Sequence, residues 1–108
     1  MAAIFDEAGA LERVGGDREL LRELTSLCRE QCDDRLMLLD HEVRHKNLKA
    51  VGDIAHFLKG GLGNVGAEAA FEAAHSLELA AKGGDLEAIE GLNEALIEAV
   101  SEFFRLVG

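Results

Sequence analysis

The sequence contains no proline, no tryptophan and no tyrosine, and phenylalanine is its only aromatic, at five positions. Loop-rich and all-β domains of this size draw on proline for turns and on large aromatics for strands, so both architectures are disfavoured. Only two cysteines are present, Cys28 and Cys32, too few for a disulfide framework. No signal-peptide pattern and no long apolar run is visible, so a cytosolic protein without a membrane span is expected. Basic residues are also scarce: 11 Lys and Arg stand against 21 Asp and Glu, a formal charge of −10. That balance disfavours nucleic acid and anionic membrane surfaces as partners. The 108 residues suffice for one core, so residues 1–108 read as one domain, too small for a self-contained enzyme with a closed pocket. The initiating Met and compact ends predict a stand-alone chain, and a monomer is expected.

What the sequence does contain is apolar spacing of three and four residues almost throughout, the mark of helix. A short helix is predicted from Asp6 to Val14, ended by Gly15-Gly16. Asp17 then caps a long helix that turns Leu20, Leu21, Leu24, Leu27, Cys28, Leu36, Leu39 and Val43 inward, with a break expected near Asp33-Asp34. Lys46-Asn47 predicts a turn, with Asn47 capping a helix that runs to Gly63 or Asn64. Another helix spans Ala67 to about Lys82, with Phe71, Ala74, Leu77 and Ala81 inward. After Gly83-Gly84, Asp85 is expected to cap the last helix, whose stripe is Leu86, Ile89, Leu92, Leu96, Val100 and Phe103. Turns of two to four residues make successive helices antiparallel neighbours. The predicted fold is all-α: an antiparallel up-and-down four-helix bundle preceded by a short N-terminal helix.

The helix over residues 47–64 is unusual. On a wheel of 100° per residue, Leu48, Val51, Ile54, Ala55, Leu58, Leu62 and Val65 share one face. The opposite face carries Lys49, Gly52, Asp53, His56, Lys59, Gly60 and Gly63, with His56 at its centre. An interior glycine costs about 1 kcal/mol relative to alanine. Glycines flanking one imidazole are therefore expected to clear a path for something bulky. The ordinary alternative, that Gly60, Gly61 and Gly63 fray the helix end, accounts neither for Gly52 nor for a lysine one turn from the histidine. Between Val43 and Asn64 the charges balance at +3 (Arg44, Lys46, Lys49 and Lys59 against Asp53), leaving −13 on the remainder. A basic patch around an exposed imidazole suits an incoming anion or an acidic partner surface.

The string Ala55-His56-Phe57-Leu58-Lys59-Gly60, followed by Gly66-Ala67, resembles the A-H-x-L-K-G…G-A signature of histidine-containing phosphotransfer domains. Phe5-Asp6, Gly16-Asp17-Arg18-Glu19-Leu20-Leu21 and Leu77-Glu78 also stand where that family has them, so the resemblance covers essentially the whole chain. Cys28, where an aromatic is common, and Gly61-Leu62, in place of a small or hydroxyl pair, depart from the pattern.

The resemblance implies a phosphorelay intermediate without kinase activity of its own. His56 would accept a phosphoryl group from a receiver-domain aspartate and pass it to another receiver. The implied partners are the receiver domains of a hybrid histidine kinase and of a response regulator. No cofactor of its own is expected, Mg²⁺ coming with the receiver. Lys59 would reach the phosphoryl oxygens, Gly60 would leave room for them, and Glu78 would fix the imidazole tautomer; the alternative for Glu78 is an ordinary solvated carboxylate. Lys49, Gly52, Phe57, Gly63 and Asn64 are expected to line the docking face, although Phe57 is equally suited to packing against a neighbouring helix. A helical interaction module without phosphotransfer is the alternative function.

Three further patterns carry less. His41-Glu42-Val43-Arg44-His45 matches H-E-x-x-H, but no third ligand follows at a metalloprotease spacing, which favours a solvated helix end. Gly61-x-Gly63-x-x-Gly66 matches a dinucleotide fingerprint but follows a helix rather than a strand. Cys28 and Cys32 are read as small buried thiols, and His75 as a residue at the core boundary.

Overall fold

The structure is a computed structural model that describes residues 2–107. Five helices follow in order: α1 (Glu7–Arg13), α2 (Arg18–Arg44), α3 (Leu48–Asn64), α4 (Glu68–Lys82) and α5 (Ile89–Val107). The last four pack cyclically, each against the next and α5 back against α2, with α1 set against α2. This is the expected bundle with its short leading helix.

Helix starts follow local chemistry. The Asp6, Asp17 and Asn47 side chains accept from the backbone N–H of Gly9 (3.1 Å), Leu20 (3.0 Å) and Ala50 (3.3 Å), each satisfying a first-turn donor that has no partner within the helix. Helix α4 has Ala67 at its N-cap position and so no side-chain cap. The extended N-terminal segment serves instead: the Ala3 carbonyl accepts from Ala69 N–H at 2.8 Å, and Asp6 N–H donates to the Gly66 carbonyl at 2.8 Å. Gly66 is obligatory in this junction. Its φ is +79°, and a Cβ there would lie 2.6 Å from the Asp6 carbonyl oxygen.

Leu39, Leu62, Leu77, Leu96 and Phe103 are fully buried at the centre, and Phe103 meets Phe5 and Phe104 edge-on at 5.6 and 5.0 Å. Four expectations need correction. Helix α2 is unbroken for 27 residues, because Asp33 and Asp34 are exposed and leave the backbone ladder intact. At 1.5 Å per residue it spans about 40 Å, the long dimension of the molecule, and α3 is 17 residues long. The N-terminal part of α2 therefore has no α3 alongside, and Leu20 there is 39% exposed rather than inward, while Leu27, on the rim of a groove beside Gly61 and Asn64, is 49% exposed. Asp85 caps a turn, not α5: its carboxylate accepts from Ala88 N–H at 3.2 Å, and α5 starts at Ile89. Leu86, on that turn, is exposed instead of joining the stripe.

Candidate functional site

His56 sits mid-way along α3 with its side chain 67% exposed. Its Nδ1 lies 2.8 Å from Oε2 of Glu78 on α4. Glu78 is buried, its side chain only 3% exposed, and cations surround its carboxylate: Lys59 Nζ is 2.6 Å from Oε1 and Lys82 Nζ 2.7 Å from Oε2. The Lys59 and Lys82 ammonium groups, ahead of the His56 contact, hold Glu78 down at about pKa 2 against a burial that works the other way. The carboxylate is thus ionised at neutral pH and can only accept. In the neutral ring the His56 proton must therefore sit on Nδ1, leaving the Nε2 lone pair bare. Of the two readings of Glu78, the solvated one is the one the burial contradicts.

Lys59 is the most enclosed of the cations, 20% exposed, and its Nζ also lies 3.4 Å from Nδ1 of His75. His75 is 43% exposed, stacks parallel to Phe71 at 6.4 Å, and stands 4.0 Å from Glu78 Oε1. It is a boundary residue, as expected, but one whose imidazole borders the cluster. Lys82 is a cluster member that the sequence analysis missed. The available signal was its place four residues after Glu78, the spacing of a helical ion pair.

The glycines divide. A Cβ built at Gly60 meets nothing within 4 Å, so the space beside His56 is open there. Gly52 is buried, and a Cβ would touch Ala81 Cβ at 3.6 Å and Lys82 Cγ at 3.8 Å. At Gly63 it would press on Phe71 Cδ2 at 3.1 Å. The expected cleared strip thus reduces to Gly60. Gly52 and Gly63 serve the close approach of α4, which covers the flank of α3 that the helical wheel left to solvent.

Phe57 is 42% exposed, with the Arg35 guanidinium 4.3 Å from its ring centroid, a cation–π contact to α2. Lys49 is exposed and ion-paired with Asp53 at 2.8 Å, which raises its pKa. Asn64 is exposed and borders a shallow groove with Leu27, Cys28 and Gly61. Phe57, Lys49 and Asn64 therefore lie apart from the His56–Glu78 cluster, with no contact to it among those described. Cys28 and Cys32 are buried free thiols, their sulfurs 3.9 Å apart.

Neither of the two grooves described among residues 2–107 is lined by His56. A groove of about 560 Å³ lies elsewhere, between α2 and α5, lined by Leu21, Thr25, Phe104 and Val107. The chain is thus a helical bundle that holds one imidazole out on its flank, backed by a buried carboxylate. The Hpt domain family model matches residues 23–104, most of the chain, and the protein belongs to that family. Hpt domains serve histidine phosphotransfer in phosphorelays and interact with receiver domains. Comparison with curated proteins and with solved structures gives no match. Among the described residues no helix is long and apolar enough to cross a membrane.

Proposed function

We propose that His56 is the phosphoacceptor of a phosphorelay intermediate, loaded by the aspartyl phosphate of one receiver domain and unloaded to the aspartate of another. The observation that carries this reading is the bare, solvent-facing Nε2, whose tautomer is fixed by the 2.8 Å contact from Nδ1–H to Glu78. In the forward step the Nε2 lone pair attacks phosphorus in line. A P–N bond forms, the P–O bond to the aspartate breaks, and the carboxylate leaves with the electron pair. No proton moves. The ring becomes a phosphoimidazolium, and its positive charge faces the Glu78 carboxylate.

Lys59 and Lys82, both on flexible stems, supply positive charge beside the acceptor and can turn from Glu78 toward phosphoryl oxygens. The open space at Gly60 admits the phosphoryl group and the partner's loop, with Phe57, Lys49 and Asn64 further out on the docking face. Gly52 and Gly63 act beneath this surface rather than on it. Mg²⁺ and the reacting aspartate belong to the receiver, and a cytoplasmic location fits such a partner.

The test is incubation with a phosphorylated receiver domain and Mg²⁺, read by intact mass. One acid-labile phosphate per chain is expected, absent from His56→Gln with circular dichroism unchanged. Binding of the receiver without any phosphate transfer would instead identify an interaction module and overturn the proposal.

A further inference from the structure

The H-E-x-x-H segment lies at the end of α2, outside the His56 cluster, and its two imidazoles are organised. We infer that His41 and His45 form a bidentate site for a borderline divalent transition-metal ion such as Ni²⁺ or Zn²⁺. Both residues are exposed, one helical turn apart, with ring centroids 4.2 Å apart and planes tilted by 35°. Nδ1 of His45 lies 2.8 Å from the His41 carbonyl oxygen. A carbonyl can only accept, so Nδ1 carries the proton and Nε2 offers a free lone pair to solvent. Metal-binding histidines are commonly arranged this way, the second ring nitrogen donating to a carbonyl that sets tautomer and ring orientation.

Metal–nitrogen bonds of about 2.0–2.1 Å bring two imidazole nitrogens to roughly 2.8–3.4 Å of each other at square or tetrahedral angles. The two tilted rings, with centroids 4.2 Å apart, already stand side by side on this scale. The surroundings favour a cation. His45 caps the C-terminus of α2, where unpaired carbonyls carry negative partial charge, and Arg44 is neutralised by Asp40 at 2.7 Å. Among the described residues no third His, Cys, Asp or Glu joins the pair. The site is therefore a two-point anchor whose remaining positions go to water or to a donor from a second molecule, unlike the three-ligand site of a metalloprotease.

Titration of the reduced protein with NiCl₂ and ZnCl₂ by calorimetry tests this. One Ni²⁺ per chain is expected, with Zn²⁺ competing for the same two imidazoles. His41→Ala and His45→Ala are each expected to weaken Ni²⁺ binding roughly tenfold or more, because a chelate becomes a single ligand. His56→Gln and His75→Gln are expected to leave it unchanged, and circular dichroism checks that every variant is folded. Wild-type affinity in both α2 variants, or a loss that follows His56 or His75 instead, overturns the inference.

Discussion

One buried carboxylate organises the candidate site. Glu78 receives His56 Nδ1–H and two lysines, so its charge is needed both by the ring and by the packing. Glu78→Gln keeps an oxygen acceptor for Nδ1–H but removes the charge facing a phosphoimidazolium. Phosphate loading from a receiver, followed by quenched-flow measurement, is expected to slow while His56 is still modified. Glu78→Ala strands the enclosed Lys59 ammonium beside a buried void and is expected to cost about 1–3 kcal/mol in urea unfolding. The pH dependence has a definite sign. Because the folded-state pKa lies at about 2, below the ordinary 4.5, the contribution of Glu78 is complete above pH 4.5 and disappears as pH falls through 2. The stability difference between wild type and Glu78→Gln is therefore expected to be constant near neutrality and to shrink steadily below pH 4.5.

Among the elements, α3 and its junction with α4 fix where the site stands. Gly66→Ala would set a Cβ 2.6 Å from the Asp6 carbonyl oxygen at a φ of +79°, whereas Gly60→Ala meets open space. The first is expected to lower the melting temperature sharply. The second is expected to cost little or even stabilise α3 through helix propensity, while Gly60→Leu, equally well folded, obstructs the receiver. Unaltered transfer by Gly60→Leu would place the partner's approach elsewhere. This contrast also shows how far the elements could be read from sequence. Capping by Asp17 and Asn47 and the inward face of α3 were legible, since spacing and residue chemistry determine them locally, whereas the His56–Glu78 pairing, between residues 22 apart on two helices, was implied only by the family resemblance. Gly52 and Gly63 were misread because a helical wheel separates apolar from polar but cannot show which flank a neighbouring helix covers. The continuity of α2 through Asp33-Asp34 was misread for a related reason, as a potential capping residue caps only where the chain actually turns. Lys82 was overlooked because its value comes from an oxygen shared with another helix.

At the scale of the whole molecule, the absent residues govern behaviour again. With no proline and both thiols free, refolding lacks the two common sources of slow steps, peptide isomerisation and disulfide exchange. Stopped-flow refolding from urea is expected to finish without a phase of tens of seconds, and identically with or without reductant. The bundle also places the His56 ring on an open flank, with Nδ1 moored to the buried Glu78 carboxylate. Under the proposed transfer, arrival and departure of the group then pass through the same arrangement in opposite order. Such a station has no valve: the direction of traffic is set by which visitor comes laden, and a shortage of charged donors is enough to run the line backwards.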